Sequence, residues 1–298
     1  MMLTRRHFTT AALATISGAS TIGWHTRAFA SEGKLAGLAE TFAKIEADSR
    51  GRLGVGVLDT GTGEIVGHRQ DERFPMCSTF KFLCAAAVLA RVDAGKEQLA
   101  RRIPVTSADL LEYAPVTKQH AGGEMTVAEL CEAAVTLSDN TAANLLLASM
   151  GGPSAITQYA RAIGDNLTRL DRTEPELNTA EEGDERDTTT PLAMARNLQT
   201  LTLGVALLPP SRDQLNAWLT GCKTGDARLR AGLPKDWRVG DKTGTGVHGT
   251  ANDVAVIWPK GRAPVMITAY LTQCAADAGK RDATIAAVGK AVADAIAA

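Results

Sequence analysis

Residues 237–271 read WRVGDKTGTGVHGTANDVAVIWPKGRAPVMITAYL, and the pattern of this stretch decides the fold. It contains three runs, Trp237–Lys242, Thr250–Trp258 and Val265–Leu271, separated by segments rich in glycine and proline. Short runs of β-branched and apolar side chains between turn residues predict β-strands. The stretch therefore contributes three strands to a sheet.

The N-terminal region supplies two more strands. Leu53–Asp59 and Glu64–His68 read as strands on either side of the turn Thr60-Gly61-Thr62-Gly63. Apolar side chains at helical spacing precede the first strand and follow the last one. These stripes are Leu35, Leu38, Phe42 and Ile45, and then Ile285, Val288, Val292 and Ile296. The sheet is therefore expected to carry a helix from each end of the chain.

Helical patterns dominate between these two regions, at Phe80–Val92, Thr126–Leu137, Thr141–Met150 and Pro191–Leu203. This order predicts an α/β (α+β) fold in which both chain ends build one antiparallel five-stranded sheet, flanked by helices, with an inserted all-helical lobe. We expect residues 31–70 and 220–298 to form the α/β lobe and residues 71–219 the helical lobe. The cleft between two such lobes is the usual place for a small-molecule site.

The composition excludes several classes of function. The 298 residues are 45% hydrophobic and 22% charged, with a formal net charge of -1, so no basic surface predicts nucleic-acid binding. The cysteines form no C-x-x-C pair and the five histidines lack metal-ligand spacing, so we expect no metal and no other cofactor. Nothing indicates an obligate protein partner, and we expect a monomer.

Residues 1–30 have the features of an export signal. Arg5-Arg6 precedes a weakly apolar stretch, and Ala28-Phe29-Ala30 matches the small-x-small pattern of a cleavage site. Paired arginines before such a stretch resemble a twin-arginine signal. The stretch is too weakly apolar for a permanent membrane anchor. We therefore expect a periplasmic or secreted protein without stable membrane association after export.

Ser78-Thr79-Phe80-Lys81 begins an apolar helix and is a candidate nucleophile motif. Residues three apart on a helix share a face, so the Lys81 amine can reach the Ser78 hydroxyl. Free N–H groups at the helix start also favour developing negative charge. Ser31-Glu32-Gly33-Lys34 has the same spacing but follows the cleavage site, so we interpret it as coincidental.

Two further short motifs are weak when taken singly. Ser138-Asp139-Asn140 lies at a helix start, where a capping serine is an equally good explanation. Lys242-Thr243-Gly244 lies on a predicted strand, whereas Lys223-Thr224-Gly225 does not, which favours the former as functional. Gly244-Thr245-Gly246-Val247-His248-Gly249 matches a dinucleotide-binding pattern, but the segment after it predicts a strand rather than the helix that such a site needs. We interpret these glycines as a hairpin.

Residues 169–187 form a long polar loop that contains Glu174-Pro175-Glu176-Leu177-Asn178. Long loops without regular structure tend to be functional or disordered. Arg172 and Asp187 are placed to tie the two ends of this loop together as an ion pair.

Taken together, Ser-x-x-Lys, Ser-Asp-Asn, Glu-x-x-x-Asn and Lys-Thr-Gly resemble, in order and separation, the motif set of the class A serine β-lactamases. The resemblance extends over nearly all of the chain after residue 30. It implies hydrolysis of the β-lactam amide of penicillins and cephalosporins, and hence antibiotic resistance. It also makes residues 169–187 the active-site loop.

The resemblance implies a role for each motif. Ser78 attacks the lactam carbonyl, the backbone N–H groups of Ser78 and Thr245 hold the oxyanion, and either Lys81 or Glu174 is the base for acylation. Ser138, beside Lys242, passes a proton to the leaving nitrogen. Glu174 and Asn178 hold the water that hydrolyses the acyl-enzyme. For the substrate, the implied binding residues are Tyr113, Asn140, Arg228, Thr243, Gly244 and Thr245.

Two cysteine positions differ from the disulfides of relatives. Cys84 is one residue away from the position that would pair with Cys131, and one residue on a helix is a turn of about 100°. Gly246 stands where some relatives have the partner of Cys77. Neither disulfide is predicted.

Two other functions share part of the motif set. A penicillin-binding DD-peptidase would have the first, second and last motifs but no Glu174 and Asn178 for deacylation. A β-lactam sensor would be acylated and stay acylated. The number of turnovers discriminates between these functions and hydrolysis.

Overall fold

The computed structural model describes residues 35–297. The predicted export signal and the second Ser-x-x-Lys at residues 31–34 lie outside the described residues. The strands are β1 (Arg52–Asp59), β2 (Ile65–His68), β3 (Phe74–Pro75), β4 (Arg102–Val105), β5 (Gly123–Thr126), β6 (Thr188–Thr189), β7 (Arg238–Gly246), β8 (Thr250–Trp258) and β9 (Val265–Thr272). The helices are α1 (Leu38–Ser49), α2 (Phe80–Asp93), α3 (Val127–Thr136), α4 (Asn140–Met150), α5 (Ser154–Ala162), α6 (Pro191–Thr202), α7 (Pro209–Thr220), α8 (Leu229–Gly232) and α9 (Ala278–Ala297).

Both chain ends build the central sheet, as the sequence predicts. Its five strands have the order β2-β1-β9-β8-β7, and every neighbouring pair is antiparallel. The segment between β2 and β7 is mainly helical and contains, in addition, the two-stranded sheets β3–β6 and β4–β5. The α/β fold with a central antiparallel sheet is confirmed.

Helices cover both faces of this sheet, as β9 illustrates. Ile267 and Leu271 point into one apolar cluster with α1, α8 and α9, while Met266 and Tyr270 point into the other with α2 to α7. This alternation follows from the two-residue period of a strand. A sheet covered on both faces explains why β1, β8 and β9 are buried at nearly every residue.

Strand β7 is longer than the sequence predicts. We expected it to end at Lys242, but the strand continues to Gly246, which pairs with Thr250 on β8. The predicted hairpin is present, and its turn consists of residues 247–249, with Gly249 at a positive φ of 63°. Gly244, within the strand, permits a close approach: a Cβ on this residue would lie 2.7 Å from the carbonyl oxygen of Met76. The glycine lets the edge of the sheet contact the turn that carries Ser78.

Within residues 35–297, no helix combines the length and the apolar character that crossing a bilayer requires.

Burial of Phe42 on α1 should be a measurable part of the stability. The side chain is fully buried between α1 and the sheet, so Phe42→Ala should lower the free energy of unfolding by about 3–5 kcal/mol. Lys44→Ala, on the exposed side of the same helix, should change it by less than about 0.5 kcal/mol. Urea denaturation measures both, and equal effects of the two substitutions would contradict the assigned packing of α1.

Candidate active site

Ser78 lies in a single 3-10 turn, Cys77–Thr79, directly before α2. The Thr79 hydroxyl donates to the carbonyl oxygen of Met76 at 2.8 Å. From β8, the amide nitrogen of Asn252 donates to the carbonyl oxygens of Pro75 at 2.9 Å and Met76 at 3.1 Å. The position of the Ser78 hydroxyl is therefore fixed by contacts to the sheet as well as by its own helix.

Lys81 lies one helical turn after Ser78 and is fully buried. Its Nζ donates to Ser138 O at 2.8 Å, Asn140 Oδ1 at 2.6 Å and Glu174 Oε1 at 2.9 Å, and Ser138 Oγ lies farther away, at 3.4 Å. Burial lowers the pKa of the Lys81 ammonium, and the adjacent Glu174 carboxylate opposes that shift. An ammonium group has three donors and no acceptor, so the three short contacts match its hydrogen-bonding capacity.

Glu174 joins the active-site loop to the nucleophile. The Ser78 hydroxyl donates to Glu174 Oε1 at 3.1 Å, and the side-chain amide of Asn178 donates to Glu174 Oε2. The backbone of Glu174 is held by Asn144 on α4, which accepts from Glu174 N at 2.9 Å and donates to Glu174 O at 2.8 Å. The peptide bond between Glu174 and Pro175 is cis.

The ends of the active-site loop are tied together through Asp187. Its carboxylate accepts from Arg172 Nε at 2.6 Å and from the backbone N–H groups of Asp171 and Arg172 at 2.7 and 2.9 Å. The backbone carbonyl of Asp187 accepts from Met76 N at 2.9 Å. The structure thus places Arg172 and Asp187 in one ion pair and connects the loop end to the turn of Ser78.

Ser138 comes from the turn before α4, and Asn140 is the first residue of that helix. The Asp139 side chain caps this helix through Ala142 N at 2.9 Å and also accepts from the backbone N–H groups of Val116 and Thr117, each at 2.9 Å. Asp139 is fully buried. Its carboxylate therefore fixes the turn against the segment that carries Tyr113.

Ser138 is also contacted by Lys242, which lies on β7. Its Nζ donates to Ser138 Oγ at 3.0 Å and to the carbonyl oxygen of Thr243 at 2.8 Å. Burial lowers the pKa of the Lys242 ammonium to about 8, and the nearby positive charge of Lys81 adds to that shift. Ser138 consequently lies between two buried amines.

A cavity of about 400 Å³ opens above these groups. Its lining contains most of the side chains that the sequence motifs predict: Ser78, Tyr113, Ser138, Asn140, Asn178, Arg228, Thr243, Gly244 and Thr245. Lys81, Glu174 and Lys242 are buried and contact Ser78 or Ser138. Arg228 donates from Nη2 to Thr245 Oγ1 at 2.8 Å and from Nη1 to the carbonyl oxygens of Gly244 and Asn252, each at 2.7 Å.

Sequence reasoning missed three residues that build the site. Asn144 and Asp139 act through backbone groups: no local pattern distinguishes Asn144 from an ordinary helix residue, and Asp139 lies within the Ser-Asp-Asn motif but was given no role of its own. Thr224 lines the cavity but belongs to the Lys-Thr-Gly run that we interpreted as non-functional. The occurrence of Lys-Thr-Gly twice in the sequence is the signal that could have identified Thr224.

All five cysteines are buried free thiols in the structure. Cys77 lies beside Gly246, where an added Cβ would come within 2.6 Å of its sulfur. Among residues 35–297, no cluster of three or more His, Cys, Asp or Glu side chains could hold a metal ion.

The profile of the β-lactamase enzyme family matches residues 37–296. The chain belongs to the class A β-lactamases. It is 53% identical over 255 residues to β-lactamase CTX-M-8 of Citrobacter amalonaticus, covering 86% of this chain and 88% of that protein. It is 54% identical over 253 residues to β-lactamase L2 of Stenotrophomonas maltophilia, covering 85% and 84%.

Solved structures of the family agree with this membership. The β-lactamase class A of the last common ancestor of Gram-negative bacteria superposes with a TM-score of 0.86 and is 65% identical. The match covers 88% of this chain and 100% of that one.

Titration of Lys242 should set the alkaline limit of activity. Since its pKa is lowered from 10.5 to about 8, the ammonium is lost as the pH rises through that value. For an anionic β-lactam, kcat/KM should therefore fall above about pH 8. Lys242→Arg keeps the positive charge and should move this fall to higher pH, whatever its effect on the maximal rate.

The matched control is Lys223→Arg, in the exposed lysine of the other Lys-Thr-Gly run. It should leave the pH profile unchanged. A profile of Lys242→Arg that still falls near pH 8 would assign the titration to another group.

Proposed function

We propose that the chain is an exported β-lactamase that hydrolyses penicillins and cephalosporins through an acyl-enzyme on Ser78 and thereby confers antibiotic resistance. The observation that carries this proposal is the contact of the Ser78 hydroxyl with Glu174, whose carboxylate is also held by Lys81 and Asn178. A nucleophile, a base and a group that orients the base are thereby within hydrogen-bonding distance of one another.

Glu174 is our choice of base for acylation. The Ser78 hydroxyl already donates to its carboxylate at 3.1 Å, while the Lys81 ammonium donates to three other oxygens and has no lone pair to offer. Ser78 Oγ attacks the lactam carbonyl carbon as its proton passes to Glu174. The carbonyl π electrons move to the oxygen, which the backbone N–H groups of Ser78 and Thr245 are proposed to stabilise.

Ser138 is the proposed proton donor to the leaving nitrogen. When the tetrahedral intermediate collapses, the C–N bond breaks and the nitrogen takes the Ser138 hydroxyl proton. The Lys242 ammonium, at 3.0 Å, or the Lys81 ammonium, at 3.4 Å, can replace that proton. The two buried amines thus keep Ser138 protonated.

Before deacylation Glu174 has to lose the proton that it took from Ser78. Lys81 can accept it once its own proton has passed to Ser138, because Lys81 Nζ lies 2.9 Å from Glu174 Oε1 and 3.4 Å from Ser138 Oγ. Deacylation then uses the Glu174 carboxylate again. Glu174 and Asn178 are proposed to hold the attacking water, with the carboxylate taking its proton. General-base assistance is typically worth about 10²–10⁴ in rate. The DD-peptidase and sensor alternatives lack this step, which makes Glu174 and Asn178 the residues that decide the function.

Substrate binding follows from the donors around the cavity. Asn140 Oδ1 is occupied by Lys81, which leaves its amide N–H groups for a substrate carbonyl. Thr243, Thr245 and Arg228 are proposed to hold the ring carboxylate, and the half-exposed Tyr113 to pack against the substrate at the cavity mouth. Arg172 and Asp187 support the active-site loop without contacting the substrate.

Class A β-lactamases are generally exported. For this chain we propose a twin-arginine type of signal in residues 1–30, a periplasmic or secreted monomer without stable membrane association, and no cofactor. The proposed division is an α/β lobe of residues 31–70 and 220–298 and a helical lobe of residues 71–219.

Purified residues 31–298 should turn over a chromogenic cephalosporin many times per active site. Absorbance measured against a known enzyme concentration counts the turnovers. Stoichiometric acylation without turnover would reject the hydrolase and favour the sensor or the DD-peptidase.

Two substitutions separate the proposed roles of Ser78 and Glu174. Ser78→Ala should give no covalent adduct because the nucleophile is gone. Glu174→Ala should lose about 10²–10⁴ in deacylation rate and accumulate the adduct. Intact-mass spectrometry after mixing with a penicillin measures both, and normal turnover by Glu174→Ala would refute the deacylation role.

A further inference from the structure

The second Lys-Thr-Gly run contributes a hydroxyl to the cavity. Thr224 lies between α7 and α8 and is half-buried, and its Oγ1 is 2.5 Å from Oγ1 of Thr243 on β7. Both side chains line the cavity that contains Ser78. A distance this short means that one of the two hydroxyls donates to the other, and the direction of that bond determines what Thr243 presents to a substrate.

The neighbouring Thr245 has its hydroxyl oriented as the binding of an anion requires. Its hydroxyl oxygen accepts from Arg228 Nη2 at 2.8 Å, and a guanidinium group can only donate. The Thr245 proton is therefore available to point into the cavity. A carboxylate only accepts hydrogen bonds, so a hydroxyl contributes to its binding only as a donor.

The surroundings of Thr224 favour the same direction at Thr243. Apart from Thr243, the group near the Thr224 hydroxyl is the sulfur of Cys222, at 3.4 Å. Burial and the neighbouring Asp241 carboxylate raise the pKa of the Cys222 thiol to about 11, so it stays neutral and is a weak acceptor. The Thr224 proton therefore has its better acceptor in Thr243 Oγ1.

We propose that Thr224 is a positioning residue: it donates to Thr243 Oγ1 and thereby turns the Thr243 hydroxyl proton toward the carboxylate of a bound β-lactam. A hydrogen bond to an ionised acceptor is shorter and about twice as strong as a neutral one. Once an anion is bound, the arrangement in which Thr224 donates to Thr243 and Thr243 donates to the carboxylate is therefore preferred over the one in which Thr243 donates to Thr224. The inference rests on the proposed function, because the anion is the ring carboxylate of the substrate.

The test compares Thr224→Val with Thr224→Ser on two substrates, a chromogenic cephalosporin and the methyl ester of its ring carboxylate. Valine keeps the branched shape and removes the hydroxyl, whereas serine keeps the hydroxyl. Thr224→Val should lower kcat/KM for the carboxylate substrate about tenfold, mainly through KM, which is the loss expected for one hydrogen bond to a charged group. Thr224→Ser should stay within about twofold of the unsubstituted enzyme.

The ester distinguishes orientation of a donor from a general packing role. Because the ester has no negative charge, Thr224→Val should change its kcat/KM by less than about twofold. Equal losses on both substrates, no loss on the carboxylate substrate, or a serine variant as poor as the valine variant would each overturn the proposal.

The unsubstituted enzyme in the same assay reports on the proposed function separately. If it is acylated without turning over, β-lactam hydrolysis is refuted. Stopped-flow acylation rates of the three proteins on the two substrates then give the same comparison for Thr224.

Discussion

Neither side chain of the Lys81–Glu174 ion pair is exposed, and removing two such charges from water costs several kcal/mol for each ion. The pair is tolerated because other groups occupy its remaining donors and acceptors. Ser138 and Asn140 accept from the ammonium, and Asn178 and Ser78 donate to the carboxylate. Each of these partners comes from a segment that has to be held in place. The requirement to satisfy one buried pair therefore determines how α2, the turn before α4 and the active-site loop are arranged.

The active-site loop meets this requirement with little regular secondary structure of its own. Its backbone is held by side chains instead, by Asn144 at Glu174 and by Asp187 at Asp171 and Arg172. A side-chain amide that both donates to and accepts from one residue fixes its position more firmly than a single bond does. The general base is thus positioned by α4, the same helix whose first turn carries Asn140. A shift of that helix would move the base and the partner of Lys81 together.

The fold and the composition of the site were largely predictable from the sequence because they depend on local patterns. The periodicity of β1, β8 and α2 gave their bounds to within a residue or two, and the four motifs named the residues that meet at the cavity. The C-terminal extent of β7 was not predictable, because its glycines match a hairpin pattern as well as a strand that packs closely on Met76. The roles of Asn144 and of Asp139 in the Ser-Asp-Asn motif were missed for a related reason. Their function is to bind backbone groups far away in sequence, and only the folded chain brings those groups to them.

The two Lys-Thr-Gly runs show where reasoning from the position of a motif fails. Placement on a strand separated Lys242, which is buried and contacts Ser138, from Lys223, which is exposed. The same criterion set aside Thr224, which lines the cavity, because it judged the three residues of the run together. In the structure the hydroxyl oxygens of Thr224 and Thr243 are 2.5 Å apart, although Lys223 is exposed and Lys242 is buried. A motif is a set of separate side chains, and each of them contacts what the backbone brings near it. Strand β7 supplies the positive charge of Lys242 and the hydroxyl of Thr243. The segment between α7 and α8 supplies Thr224, whose hydroxyl contacts that of Thr243.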